Sequence, residues 1–200
     1  MVALVGLMGS GKTTIGKKVA KLLDRRFVDG DVELEARSGR SVADWFANSG
    51  EDGFRVAEAQ LLADVVGEAH RYGPLVFGAG GGVVVTPANR AVLAGDDVVT
   101  IYLHAQPAFL ASRTQNKPHR PLLTDDALSV LEKMYDDRDH LYRAVADQVL
   151  EVRPAHEEGR KPKWRLAEQV IESLLALGVI DVPKTGADDR VDSEETEAAK

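Results

Sequence analysis

The stretch Val2-Ala3-Leu4-Val5-Gly6-Leu7-Met8-Gly9-Ser10-Gly11-Lys12-Thr13-Thr14, running on through Ile15 and Val19 to Leu23, decides the fold. Val2–Val5 is a short apolar run suited to a buried strand. Lys12–Leu23 sets Ile15, Val19 and Leu22 or Leu23 at helical spacing. Between them, Gly6 to Thr13 fits the pattern G-x-x-x-x-G-K-[ST] in full. The glycines let backbone N–H groups converge on phosphate oxygens, and the following helix aims its positive end at the same point. Gly9, Ser10, Gly11, Lys12, Thr13 and Thr14 are therefore expected to bind the phosphates of a nucleoside triphosphate. Lys12 would neutralise the β- and γ-phosphates, and the Thr13 hydroxyl would ligate Mg²⁺ directly. A bare glycine-rich turn would need neither the lysine nor the hydroxyl. The motif is silent about what is done with the nucleotide.

Outward from this loop, short β-like runs alternate with helical patterns. Strands are expected at Arg26–Asp29, Pro74–Gly78, Val98–Leu103 and Gln148–Val152. Helices are expected at Ser41–Asn48, Phe54–Val66, Pro87–Leu93, Leu128–Val145 and Trp164–Leu177. Such alternation implies a parallel sheet covered by helices on both faces. A single domain over residues 1–180 is expected, with residues 181–200 a disordered tail: that stretch holds seven acids and three bases and few apolar positions.

Composition narrows the classes. The chain has 200 residues, 44% of them hydrophobic, and no cysteine. That excludes a disulfide scaffold, a thiol nucleophile and Cys-based metal sites. No apolar run approaches the about 20 residues a bilayer needs, and Met1 leads straight into the first strand without a basic leader. A cytoplasmic protein without a membrane partner is expected. The net charge is −7, much of it in the tail, so no concentrated basic face points to nucleic acid. The five histidines show no ligand spacing.

Two acids stand where chemistry could use them. Phe27-Val28-Asp29-Gly30-Asp31 ends the second strand, and strand alternation would project Asp29 and Asp31 to one side, toward the ligand end of the sheet. One could support Mg²⁺ through water while the other takes a proton from an acceptor hydroxyl. An ordinary Asp-Gly-Asp turn reads equally well from these residues alone. The third strand ends in glycines and supplies no carboxylate of the kind a mechanical ATPase uses. Asn116-Lys117-Pro118-His119 lacks the acid of a guanine-reading motif.

Five separated pieces together resemble the shikimate kinases: the phosphate loop; Phe27 to Asp31; Gly50-Glu51-Asp52-Gly53-Phe54-Arg55-Val56-Ala57-Glu58; Gly80-Gly81-Gly82; and Arg120-Pro121-Leu122-Leu123 followed by Arg138-Asp139-His140-Leu141-Tyr142. The resemblance implies a three-layer P-loop fold like that of the nucleoside monophosphate kinases, with strand order 2-3-1-4-5 and a lid at about residues 113–125. It implies ATP-dependent phosphorylation of the 3-hydroxyl of shikimate, with Mg²⁺; a monomer is expected. Carried over position by position, Asp31 is the base that accepts from the reacting hydroxyl, and Asp29 holds Mg²⁺ through water. Lys12 and Arg120 act on the transferring phosphoryl group, and Arg113 lies near the adenine. Arg55 and Arg138 clamp the acceptor carboxylate, with Glu58 orienting Arg55. Gly81 offers backbone contacts to the ring, and Phe46 and Phe54 form the apolar wall. Trp45 and Trp164 are left as packing residues. Asp-Gly-Asp also occurs in gluconate kinases, so a sugar-acid kinase is the alternative acceptor class, and a non-catalytic ATP-binding regulator a further one. After Val152 the pattern departs, and no adenine contact is carried over there.

Overall fold

The computed structural model describes residues 1–114, 127–157 and 161–181. The expected tail and most of the expected lid, Arg120 included, lie outside these residues; Arg113 lies within a described helix, but its side chain does not belong to the described set.

Five strands form one parallel sheet: β1 (Val2–Val5), β2 (Arg26–Asp29), β3 (Leu75–Gly78), β4 (Val99–His104) and β5 (Gln148–Glu151). Their spatial order is β2-β3-β1-β4-β5, every neighbouring pair parallel. The order and class are those expected. β1 and β3 are buried at every residue, which is why they read as unbroken apolar runs. The edge strands β2 and β5 are mixed in burial.

Eight helices are described: α1 (Lys12–Leu22), α2 (Gly30–Ser38), α3 (Val42–Tyr72), α4 (Pro87–Leu93), α5 (Pro107–Thr114), α6 (Ala127–Val145), α7 (Val152–Glu157) and α8 (Pro162–Ala176). α1 packs on α8; Ile15 and Val19 of α1 and Leu166, Val170 and Leu174 of α8 are buried in the core. Each such side chain contributes roughly 1.5–3 kcal/mol relative to its exposed state. Trp164 keeps its packing role, with Lys18 Nζ 3.7 Å from its ring centroid across that contact. No described helix is long and apolar enough to cross a membrane.

Two differences from the sequence reading matter for the site. The helices expected at 41–48 and 54–66 are halves of α3, broken at Gly50, whose φ of 67° and ψ of −178° belong to no helix. Ser41 caps the first half in a reciprocal box with Asp44. The second difference is α2, which was not expected. Most of Gly30–Ser38 is polar and only Gly30 and Leu34 are buried, so no apolar stripe marks it.

Candidate active site

The phosphate loop carries its positive φ values at Gly6, Gly9 and Gly11, positions where a side chain would be strained. Gly6 has a second constraint: a Cβ there would lie 2.7 Å from the Leu103 carbonyl oxygen of β4. Gly11 is the left-handed residue from which α1 starts. Lys12 Nζ donates to the carbonyls of Gly6 at 2.7 Å and Leu7 at 3.0 Å, so its charge is held over the loop. Thr13 and Thr14 open the helix on its exposed side. Ser10 is buried, and its hydroxyl has no hydrogen-bond partner among the described residues.

Asp29 ends β2 and caps α2, accepting at 3.4 Å from the Val32 N–H. Its other oxygen accepts from the Thr13 hydroxyl at 2.7 Å. A hydroxyl and a carboxylate in contact beside the loop are hard oxygen donors of the kind Mg²⁺ uses, and this pair fits the ion with phosphate and water completing its shell. Among the described residues no cluster of three or more His, Cys, Asp or Glu gathers around a metal site.

Asp31 does not sit on the strand. It lies in the first turn of α2, so alternation along an extended chain is the wrong reason for its placement. Instead Asp29 turns to Thr13 while Asp31 turns toward Gly80, where a Cβ would lie 2.8 Å from Asp31 Oδ1. Burial raises the Asp31 carboxyl above its ordinary range; Lys12 opposes this, and Asp29 and Glu35 add to it.

The second half of α3 carries Arg55 and Glu58 one turn apart. Arg55 donates from one terminal nitrogen to Glu58 Oε2 at 2.8 Å, and from Nε and the other terminal nitrogen to Glu51 at 3.2 and 3.0 Å. Burial alone would lower the Arg55 pKa, but Glu58 and Glu51 more than offset it and hold the guanidinium charged. Glu58 is only 7% exposed. Phe54 is buried and Phe46, 42% exposed, rests on it with ring centroids 4.9 Å apart. Phe54 also lines a cavity of ≈ 10 Å³ with Asp31, Glu58, Phe77, Gly80 and Val83.

The glycines after β3 join these parts. The Gly81 carbonyl accepts from Arg138 at 3.1 Å and from the Tyr142 hydroxyl. A Cβ on Gly81 would be 3.5 Å from Met8 N of the phosphate loop, an ordinary contact, whereas one on Gly82 would run into the Arg55 guanidinium. Steric demand within the chain therefore falls on Gly80 and Gly82 rather than on Gly81. Asn89 and Arg90 of α4 fasten the next turn by donating to the carbonyls of Val83, Val84 and Val85. The sequence reading assigned no role to Tyr142. It lies one turn beyond Arg138, on the same helix face, and that spacing was the available signal.

The structure thus gathers Lys12, Thr13, Asp29, Asp31, Arg55, Gly81 and Arg138 at the carboxyl ends of β1, β2 and β3, with Phe54 beneath. Phosphate loop, parallel sheet and strand order define a P-loop phosphotransferase of the nucleoside-monophosphate-kinase-like fold. The sequence profile of the shikimate kinase family matches residues 8–176. A shikimate kinase from Burkholderia lata is 42% identical over 183 residues, 91% of this chain and 94% of that protein. The solved structure of shikimate kinase from Acinetobacter baumannii in complex with shikimate superposes with a TM-score of 0.77 at 31% identity, over 90% of this chain and 94% of that one. This chain belongs to the shikimate kinase family. A gluconokinase from Sinorhizobium meliloti, at 16% identity and a TM-score of 0.52, shares the fold alone.

Proposed function

We propose that this protein transfers the γ-phosphoryl group of ATP to the 3-hydroxyl of shikimate, giving shikimate 3-phosphate and ADP. The observation that carries the reading is the meeting of Arg55 and Arg138 on one glycine loop, with Gly81 against the phosphate loop. Two guanidinium groups at that point suit a carboxylate-bearing acceptor through charge-assisted hydrogen bonds. Asp31 lies between this clamp and the nucleotide loop. Its carboxylate takes the proton of the acceptor hydroxyl as the new O–P bond forms and the bond to the ADP oxygen breaks. Lys12 turns from the Gly6 and Leu7 carbonyls to the β- and γ-phosphates. Thr13, with Asp29 acting through water, would hold Mg²⁺, which supplies neutralisation of phosphate charge when bound. Arg120 and Arg113 retain the lid and adenine roles that the family resemblance implies. We take the protein as a cytoplasmic monomer, and the lack of cysteine suits that compartment.

The test is ADP release with shikimate, gluconate and no acceptor in parallel, with Mg²⁺ present and then chelated. Turnover on shikimate alone, lost on chelation, is the expected result. Equal turnover on gluconate, or none on shikimate, refutes the assignment.

A further inference from the structure

β4 departs from the rule that a strand buried on both faces is built of apolar residues. From Thr100 on every residue is buried, yet two of them are Tyr102 and His104. Standing two apart, they face one side of the sheet, and both reach α6. A buried imidazole or phenol is costly unless its polar atoms are bonded, and here they are. His104 Nδ1 donates to the carboxylate of Glu151, its register partner on β5, at 2.7 Å. Its Nε2 meets the Tyr135 hydroxyl of α6 at 2.9 Å. The Tyr102 hydroxyl donates to Asp139 Oδ1, one turn further along α6, at 2.9 Å. Asp139 Oδ2 accepts from Arg143 Nε at 2.8 Å.

Core packing does little to fix α6 where Arg138 sits. The buried residues of this helix are Leu131, Tyr142 and Val145, so the stretch between Leu131 and Tyr142 holds none. Polar contacts hold it instead, on two neighbouring rows. Tyr135 and Asp139 bond to β4, while Arg138 and Tyr142 bond to the Gly81 carbonyl. The rows are tied together by the Tyr102 ring, which stacks on that of Tyr142 with centroids 4.9 Å apart. We propose that Tyr102, His104, Tyr135 and Asp139 are positioning residues that set the rotation of α6 and so aim Arg138 at the carboxylate of the acceptor. Glu151 acts one step further out, holding the imidazole so that Nε2 faces Tyr135. A turn of about 10° moves a group about 6 Å from the helix axis by about 1 Å, and a binding constellation is sensitive to shifts of that size.

The inference rests on shikimate as acceptor. Tyr102→Phe and Tyr135→Phe each delete one hydroxyl and keep the ring, so the packing beneath α6 is retained. Each should raise the shikimate KM about fivefold and the pair at least about tenfold, with kcat and the ATP KM within about twofold of wild type. Asp139→Asn still accepts from Tyr102 and should stay within about threefold of wild type, whereas Asp139→Ala should lose at least as much as Tyr102→Phe. A merely structural role would lower the melting temperature and leave the shikimate KM of the folded protein unchanged. A wild-type shikimate KM in the Tyr102→Phe/Tyr135→Phe protein, or an equal rise in its ATP KM, overturns the proposal; the single variants carry the same test should the pair not fold. Action through Arg138 is read in the Arg138→Ala background, where the two hydroxyl deletions should cost no further kcat/KM for shikimate. A full further loss there overturns the proposal as well. Wild-type protein without turnover on shikimate overturns the functional reading and this inference together; turnover with an unchanged KM in the variants overturns the inference alone.

Discussion

The same substitution at three consecutive glycines should give three different enzymes. None of Gly80, Gly81 and Gly82 has a positive φ, so alanine strains no backbone there and its effect comes from the methyl group alone. In Gly82→Ala the new carbon would lie 2.5 Å from Arg55 Cζ and nearer still to both terminal nitrogens. Ordinary contact needs about 3.5 Å, so the guanidinium must retreat by roughly 1 Å. It can, being the end of a flexible side chain, but only by giving up geometry with Glu58 and Glu51. A misplacement of about 1 Å can cost about 10²-fold, and here it acts on the group that receives the acceptor carboxylate. Shikimate KM should therefore rise about 10- to 100-fold with kcat little changed, the pattern of lost uniform binding. In Gly80→Ala the methyl would stand 2.8 Å from Asp31 Oδ1 and from Glu58 Oε1. It displaces the base itself, so kcat should fall about tenfold or more. Gly81→Ala meets nothing nearer than Met8 N at 3.5 Å, and its melting temperature and ATP KM should match wild type. The assay is coupled ADP release with each substrate varied in turn, beside thermal melts. A wild-type shikimate KM in Gly82→Ala, or a fall in melting temperature as large in Gly81→Ala as in Gly82→Ala, would refute the steric reasoning.

Asp31→Asn should lose most turnover yet melt higher than wild type. Burial raises the Asp31 carboxyl in the folded state, so its contribution to stability is present at low pH and lost as pH rises through the folded-state value. The melting gap should be small at about pH 4 and widen toward pH 8; a gap that narrows with rising pH contradicts the sign. Arg120→Ala, removing a cation assigned to the transferring phosphoryl group, should lower kcat by about 10³-fold with a smaller change in shikimate KM, read by steady-state kinetics. Truncation after Asp181 should leave the melting temperature unchanged. Truncation after Leu177 should lower it, because Ile180 packs on the core and the Val179 N–H donates to the Leu174 carbonyl; equal melts would refute that boundary.

The phosphate loop was legible because its parts are local: a strand, eight residues of motif and a helix, each with its own periodicity or spacing. The sheet was legible for the same reason, since β1 and β3 are buried throughout and read as apolar runs. α2 was not, because a polar helix with little buried surface leaves no stripe. Missing it gave the wrong account of Asp31, which was placed on an extended strand and proves to open a helix. Arg55 and Arg138 were visible only as members of motifs. As isolated charges on helices they resemble any solvated pair, and their meeting on the Gly81–Gly82 backbone depends on contacts across the fold.

What brings the distant residues together is strand register. Asp29 of β2 pairs with Gly78 of β3, and Gly78 pairs with Leu4 of β1. Two residues beyond these aligned positions stand Asp31, Gly80 and Gly6, in neighbouring chains that leave the sheet at one level. The Asp31 carboxylate meets Gly80, and Gly81 approaches the Gly6 carbonyl at 3.8 Å from its Cβ position and Met8 N at 3.5 Å. Base, acceptor loop and phosphate loop are therefore held in line by the hydrogen-bond ladders of three parallel strands, two of them buried throughout. A side-chain change can loosen one member of this line. A one-residue slip of β3 would move the whole acceptor loop by about 3.3 Å against both neighbours, and it would turn the alternate faces of Leu75-Val76-Phe77 over with it. The burial of that strand thus protects the alignment on which transfer depends, and the core and the site are stabilised by the same contacts.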